Sequence, residues 1–277
     1  MDVKVKKNIS MTIKYLLIAL AALVILFPIY EMISTSLKLP VDAFVIPPIW
    51  FFKPTMINYK AVLFDASFFR FFTNSVIVAL SSTAISVGLG ALAAYPLARW
   101  HFGGKKTMIV GVLLLRMIPE AILAVPLFVL FNSFGSVNGR IALIIVYIAI
   151  NLPFNIWVIR TFIMDLPYEL EESAIIDGCS DFAVFTKIVL PLIGPGMSVA
   201  GIFTFRMAWN EFILSLVLTD RFTRTLPVAV SLFLTDTGTE WGKITAIATI
   251  IAVPAFIFTF GAAKSLIMGL TAGAVKG

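Results

Sequence analysis

Six apolar stretches, each about twenty residues long, set the limits on what this chain can become. They run at roughly 12–34, 74–98, 107–131, 139–162, 196–219 and 243–265 of 277 residues. A helix of that length crosses about 30 Å of hydrocarbon, and only helices or closed barrels satisfy their backbone there. The sequence is 60% hydrophobic and 13% charged, far from the balance of a soluble globular domain. The expected fold is therefore an all-α integral membrane protein, a single transmembrane domain over residues 1–277 with six helices. The first stretch follows Lys4, Lys6, Lys7 and Lys14, as a signal peptide would, but it is too long and lacks a small-residue cleavage site. A retained helix is expected.

Basic residues set the orientation. With the N-terminus inside, Lys4, Lys6, Lys7, Lys14, Arg99, Lys105, Lys106, Arg160, Lys187, Lys264 and Lys276 fall on the cytoplasmic side, which makes both termini cytoplasmic. The net charge of +6 then reads as a topology signal; nucleic-acid binding would need a basic, aromatic-laced soluble face. Between the first two helices, Trp50, Phe51 and Phe52 suit the membrane interface, with docking of an external partner as the alternative. The lone Cys179 excludes an internal disulfide, and the lone His101 cannot build a metal site. Gly103-Gly104-Lys105-Lys106 lacks the spacing and the preceding strand of a phosphate-binding loop, so no nucleotide site is expected in this chain.

One polar insert interrupts the apolar pattern. Residues 165–196 gather Asp165, Glu169, Glu171, Glu172, Asp177 and Asp181 between two membrane-length runs. Pro167 and the early carboxylates suit a helix start, and Gly178 suits its end. Ser180 then caps a second short helix that carries Phe182, Phe185, Lys187 and Ile188 and stops at Pro191. The expectation is a helix-turn-helix over 165–191, on the cytoplasmic membrane surface between helices 4 and 5. A merely solvated loop is the alternative.

Charges also occur inside the spans. Arg116 and Glu120 lie in the third, and Arg206, Asn210 and Glu211 in the fifth. An ionised group there costs about 2.5–3.5 kcal/mol on insertion scales, so lipid exposure is unfavourable. Either these groups pair to hold helices together, with Arg116 and Glu120 at i and i+4, or they wall a polar path. Pro28, Pro96, Pro119, Pro126, Pro153 and Pro254 each remove a backbone hydrogen bond and should bend their helices. Ala84, Gly88, Ala91 and Ala94, with Gly90 nearby, allow close helix approach.

Within the insert, Glu172-Ser173-Ala174, three residues, Gly178, nine residues and Ile188-Val189-Leu190-Pro191 resemble the EAA motif of ABC importer permeases. Only Ser173 departs, in place of a second alanine. Phe205 to Phe212, FRMAWNEF, looks like the fifth-helix W-N-E-F signature of maltose-type sugar permeases, and RTLPVAVSLF at 224–233 and GLTAGAVKG at 269–277 extend the likeness to the smaller, second permease of carbohydrate importers. The stretch GAAKSLIM before the tail departs from the family.

That resemblance implies roles. Glu172, Ser173, Ala174, Asp177 and Gly178 would form a coupling helix docking in a cleft of a cytoplasmic ATPase. Trp209 and Asn210 would face a sugar-sized path, an indole stacking on C–H surfaces and an amide meeting hydroxyls, with Glu211, Arg116 and Arg206 beside them. Thr235, Asp236, Thr237, Gly238 and Thr239 would form a polar tip toward a binding protein. The implied partners are a second related permease, an ABC ATPase dimer that binds ATP and Mg, an extracytoplasmic solute-binding protein and membrane lipid, in a prokaryotic plasma membrane. No catalytic residue, metal or cofactor is implied for this chain. A permease for a non-sugar or anionic solute is the alternative, because Arg116 and Arg206 can meet negative charge. An ion-gradient-driven secondary transporter leaves the EAA spacing unexplained, and an intramembrane enzyme lacks any matching motif.

Overall fold

The computed structural model describes residues 3–134, 139–235 and 238–261. In chain order its helices are α1 (Val3–Ser36), α2 (Ile57–Leu63), α3 (Phe68–Arg99), α4 (Lys105–Leu115), α5 (Glu120–Ser133), α6 (Gly139–Asp165) and α7 (Glu169–Ile176). Next come α8 (Asp181–Leu192) and α9 (Gly194–Asn210). The series closes with α10 (Ile213–Leu218), α11 (Leu226–Ser231) and α12 (Trp241–Gly261), and a two-residue antiparallel ladder, β1 (Leu234–Thr235) and β2 (Gly238–Thr239), precedes α12. Four helices are long and apolar enough to cross a membrane, and six spans result when the bent pairs α4–α5 and α8–α9 each count as one.

The first bend has a local cause. Pro119 has no N–H to donate and pushes Ile118 out of helical geometry; its own backbone is extended, at φ −64° and ψ 131°, and α4 and α5 meet at 91°. The bend expected at Pro119 in the span over 107–131 is a full break between two helices. Pro28, Pro96, Pro126, Pro153 and Pro254 sit inside uninterrupted helices. In the fifth span, Pro191 does not stop α8. The backbone before it widens to π spacing over Phe185–Val189, the Leu190 N–H reaching the Phe185 carbonyl, and the helix continues to Leu192. α9 then starts at 73° to α8 and ends at Asn210, so the expected helix to residue 219 is cut short.

Contacts divide the chain into two compact units, Met1–Asp65 with Val230–Ala252, and Ala66–Ala229 with Val253–Gly277. In the first, Asn58 is buried and donates to the Ser36 and Lys38 carbonyls at 3.0 and 2.8 Å, tying α2 to the end of α1. Gly242 meets the same amide so closely that a Cβ there would lie 2.6 Å from it.

In the second unit, α3 packs along α6, with α9 against both. The buried face of α3 repeats every three or four residues: Ala79, Ser82, Thr83, Ser86, Val87, Gly90, Ala91 and Ala94. Small side chains let the backbones approach. A Cβ on Gly90 would stand 2.8 Å from the Asn155 Cβ, whereas one on Gly88 would meet nothing within 4 Å, and Ala84 is exposed. The packed stripe therefore runs through Gly90 and Ala94, not through Ala84 and Gly88. At its centre Asn155, fully buried, donates to Ser86 Oγ and accepts from Thr204 Oγ1, each at 2.8 Å, so one amide joins α3, α6 and α9. Such polar groups are tolerated in apolar surroundings only when satisfied, and this one is satisfied by two helices.

Candidate functional site

The α7–α8 loop is locked from within and from below. α7 ends in a left-handed Gly178 at φ +86°. The Gly178 N–H reaches the Ile175 carbonyl at 2.9 Å and the Cys179 N–H the Ala174 carbonyl at 3.0 Å, the paired closure that satisfies orphan carbonyls at a helix end. Ser180 Oγ accepts from the Ala183 N–H and starts α8. Ala174, Val184 and Phe185 bury themselves in a core with Val87, Ala91, Ala94 and Tyr95 of α3.

Beneath it lies a contact that sequence spacing did not reveal. Glu171, 2% exposed, accepts from Arg99 Nε at 2.6 Å through one oxygen and from Tyr95 Oη at 2.9 Å through the other. Arg99 also donates to the Leu166 carbonyl at 3.0 Å and lies over the Tyr168 ring. This clamp fastens the loop to the end of α3. Of the expected coupling residues, Glu172, Ser173, Asp177 and Gly178 are exposed, and Ala174 is buried. Ile176, 85% exposed, adds an apolar projection that the acidic pattern had hidden.

Where the third span breaks and α9 ends, a cavity of about 430 Å³ opens, lined by Arg116, Glu120, Asn151, Phe154, Phe203, Arg206, Met207, Asn210 and Glu211. The four expected charged residues of the spans thus meet at one place. Arg116 and Glu120 do not ride one helix as an i, i+4 pair, because the chain turns between them. Arg116 instead approaches Met207 Sδ at 3.5 Å and lies over the Phe154 ring, while Arg206 lies over Phe203. Phe154 and Phe203 stand edge to face, with centroids 5.6 Å apart. Asn210 is exposed and donates to the Arg206 carbonyl at 2.8 Å. Asn151, Phe154, Phe203 and Met207 were not singled out from the sequence; their apolar spacing on α6 and α9 reads as ordinary core.

Trp209 departs from its expected place. It is 1% exposed and stacks on Phe205 with centroids 5.5 Å apart, with Phe72 edge-on, and is not part of the cavity wall. Glu211 is on the wall but is committed to the fold: its oxygens accept from the Leu214 N–H at 2.7 Å, the Ser215 N–H at 3.0 Å and Tyr147 Oη at 2.7 Å. It caps α10 and holds it to α6.

Of the expected polar tip, Thr235 and Gly238 face each other in the β1–β2 ladder and Thr239 pairs with Leu234, while Asp236 and Thr237 lie outside the described residues. The tail 269–277 also lies outside them. Among the described residues no cluster of three His, Cys, Asp or Glu side chains is arranged to hold a metal.

Up to six apolar spans, a clamped helical insert ahead of α9, and a charged cavity between the α4–α5 break and the end of α9 define a multi-pass membrane protein. Residues 86–267 match the family described as binding-protein-dependent transport system inner membrane component, and the chain belongs to that family. It is 34% identical over 257 residues to the diacetylchitobiose uptake system permease protein of Streptomyces coelicolor, covering 91% of this chain and 92% of that one. It is 36% identical over 262 residues to the trehalose/maltose transport system permease protein of Thermococcus litoralis, covering 93% and 94%. Among solved structures it resembles a bacterial ABC transporter involved in the import of the acidic polysaccharide alginate, with a TM-score of 0.77, 18% identity, and coverage of 94% and 96%.

Proposed function

We propose that the chain is one of two membrane subunits of an ATP-driven importer for a sugar or sugar derivative, delivered by an extracytoplasmic binding protein. The observation that carries the proposal is the clamped loop. Glu172 and Asp177 are exposed beside the projecting Ile176, on a short helix whose underside is fixed by Glu171 to Arg99 and Tyr95. A rigid knob with an acidic and apolar surface suits a cleft on a cytoplasmic ATPase, and Ser173, Ala174 and Gly178 keep its shape. ATP and Mg then bind the ATPase dimer, and its closure pulls the knob. The pull passes through Arg99 into α3, and from α3 into α6 and α9, which carry most of the cavity wall. A second, related permease completes the path. Basic residues at the loop end support cytoplasmic termini in a prokaryotic plasma membrane.

A sugar suits the cavity chemically. Its volume falls in the range of small-molecule sites, Phe154 and Phe203 offer ring faces, and Asn151 and Asn210 offer amides to hydroxyls. The names of the relatives, which print diacetylchitobiose and trehalose/maltose, support the same class. A second reading, an anionic solute, is favoured by the exposed Arg116 and Arg206 on that wall. Thr235, Asp236, Thr237, Gly238 and Thr239 are the proposed contact with the binding protein.

Tagged purification from the native host in mild detergent tests the assignment. An ATPase and a second permease should co-purify; this chain alone, active in liposomes without ATP, would overturn it. With the complex in hand, solute-stimulated ATPase activity that follows neutral sugars supports the first reading, and activity that follows anionic solutes the second.

A further inference from the structure

A second cavity, of about 690 Å³, opens at the start of α4. It lies at the same end of the unit as the α7–α8 loop: Arg160 on its wall donates to the Leu97 carbonyl at 3.0 Å, two residues before the Arg99 that holds Glu171. Its cationic wall is Lys105, Lys106 and Arg160, its apolar wall Phe102, Ile109 and Val110, and among the described residues no carboxylate lines it. Lys105 is partly committed, donating to the Ala98 and Trp100 carbonyls at 3.3 and 2.9 Å. Arg160 uses only Nε on Leu97, leaving its two terminal nitrogens without a hydrogen bond among the described residues. Lys106 is exposed and makes none among them.

Three uncompensated cations around one concavity raise the local potential and select an anion. The apolar half selects further. Ile109 and Val110 belong to the apolar length of α4, which also exposes Met108, Leu114 and Leu115, while Phe102 exposes its ring on the cavity wall. A ligand that matches both walls carries a negative head and a hydrocarbon tail. We propose that this cavity binds a phosphate group, and that the phosphate is the headgroup of an anionic membrane lipid. The inner leaflet is the one rich in such lipids, and basic pockets between spans on that side suit their heads. The lipid would brace the α3–α4 turn against Arg160 on α6, next to the clamp that holds the loop.

The test is native mass spectrometry of the whole transporter, equilibrated with equal phosphatidylglycerol and phosphatidylcholine. The wild type should retain phosphatidylglycerol preferentially. Each cation in contact with the headgroup contributes about a factor of five, so Lys106→Gln with Arg160→Gln should lower that preference about twenty-five-fold. Lys106→Glu alone alters an exposed side chain and keeps the test decisive if the double variant fails to assemble. Lys187→Gln, an exposed cation on α8 outside the cavity, should leave the lipid preference unchanged. Equal retention by wild type and cavity variants, or equal loss in Lys187→Gln, would overturn the proposal. Thermal stabilisation by millimolar inorganic phosphate that the cavity variants lose, without lipid preference in the wild type, would keep the phosphate site and overturn its lipid source.

Discussion

Replacing Glu171 by alanine should detach the α7–α8 loop from α3. The carboxylate holds Arg99 at 2.6 Å and Tyr95 at 2.9 Å, with side chains of Glu171 and Arg99 only 3% and 12% exposed. Removing one member of a buried pair leaves the other charge uncompensated, at a cost of about 3–5 kcal/mol. The residual exposure of Arg99, its bond to the Leu166 carbonyl and the Tyr168 ring place this case near the lower bound. At about 3 kcal/mol, and tenfold per 1.4 kcal/mol, the loop should open about 150 times more often. Hydrogen exchange of the intact transporter reads this directly: amides over 169–178 should exchange faster by that factor, with the middle of α3 unchanged. Arg99→Met with Glu171→Met, which removes both charges, should recover most of the protection. Wild-type exchange rates in Glu171→Ala would refute the clamp.

Gly178→Pro cannot adopt φ +86° and loses the N–H that closes α7, so with Glu172→Lys it should abolish uptake while the complex still reaches the membrane; full uptake by both variants removes the coupling role. Gly90→Ala should lower thermal stability by about 1–3 kcal/mol, because its Cβ would meet Asn155 at 2.8 Å, while Gly88→Ala, with nothing within 4 Å, should not. Equal melting temperatures for the two would disprove the stripe. Asp220, outside the spans, is held below the usual carboxylate range first by the Thr223 hydroxyl and then by the Phe222 N–H. A depressed folded-state pKa stabilises above the unfolded value of about 3.9 and is lost as pH falls through the lower folded one. Thermal scans of wild type and Asp220→Asn should therefore differ by a constant amount near neutral pH and converge in acid; a constant difference down to the lowest pH contradicts this.

The spans were legible because length and hydropathy are local properties, and so were Gly178 and Ser180, whose turn chemistry lies within four residues. Pro119 and Pro191 show where local reading stops. Both lack an N–H, yet one breaks its helix and the other is absorbed by a π turn, because α8 has a core under Phe185 and Val189 to hold it. The Arg99–Glu171 clamp joins residues 72 apart, and no short pattern signals it. Trp209 is placed on a path by the likeness of FRMAWNEF to a family signature; the rings of Phe205 and Phe72, which bury it, lie on α9 itself and on α3. The direction of a side chain at a helix end depends on where that helix stops, and α9 stops sooner than its apolar run.

Glu211 sets a rule for redesign. The Leu214 and Ser215 N–H groups of α10 are buried and both take this carboxylate as acceptor, so exchanging it for a neutral or smaller group leaves them unpaired and loosens the wall it stands on. Arg116 and Arg206 accept no such bonds: their heads lie over the Phe154 and Phe203 rings of the same cavity, while Asn210 spends a donor on the Arg206 carbonyl. On the proposed reading of this cavity as the solute path, a library aimed at new solutes should vary Arg116 and Arg206 and hold Glu211 and Tyr147 fixed. Within this wall, one acidic position is mortar and its neighbours are interchangeable tiles.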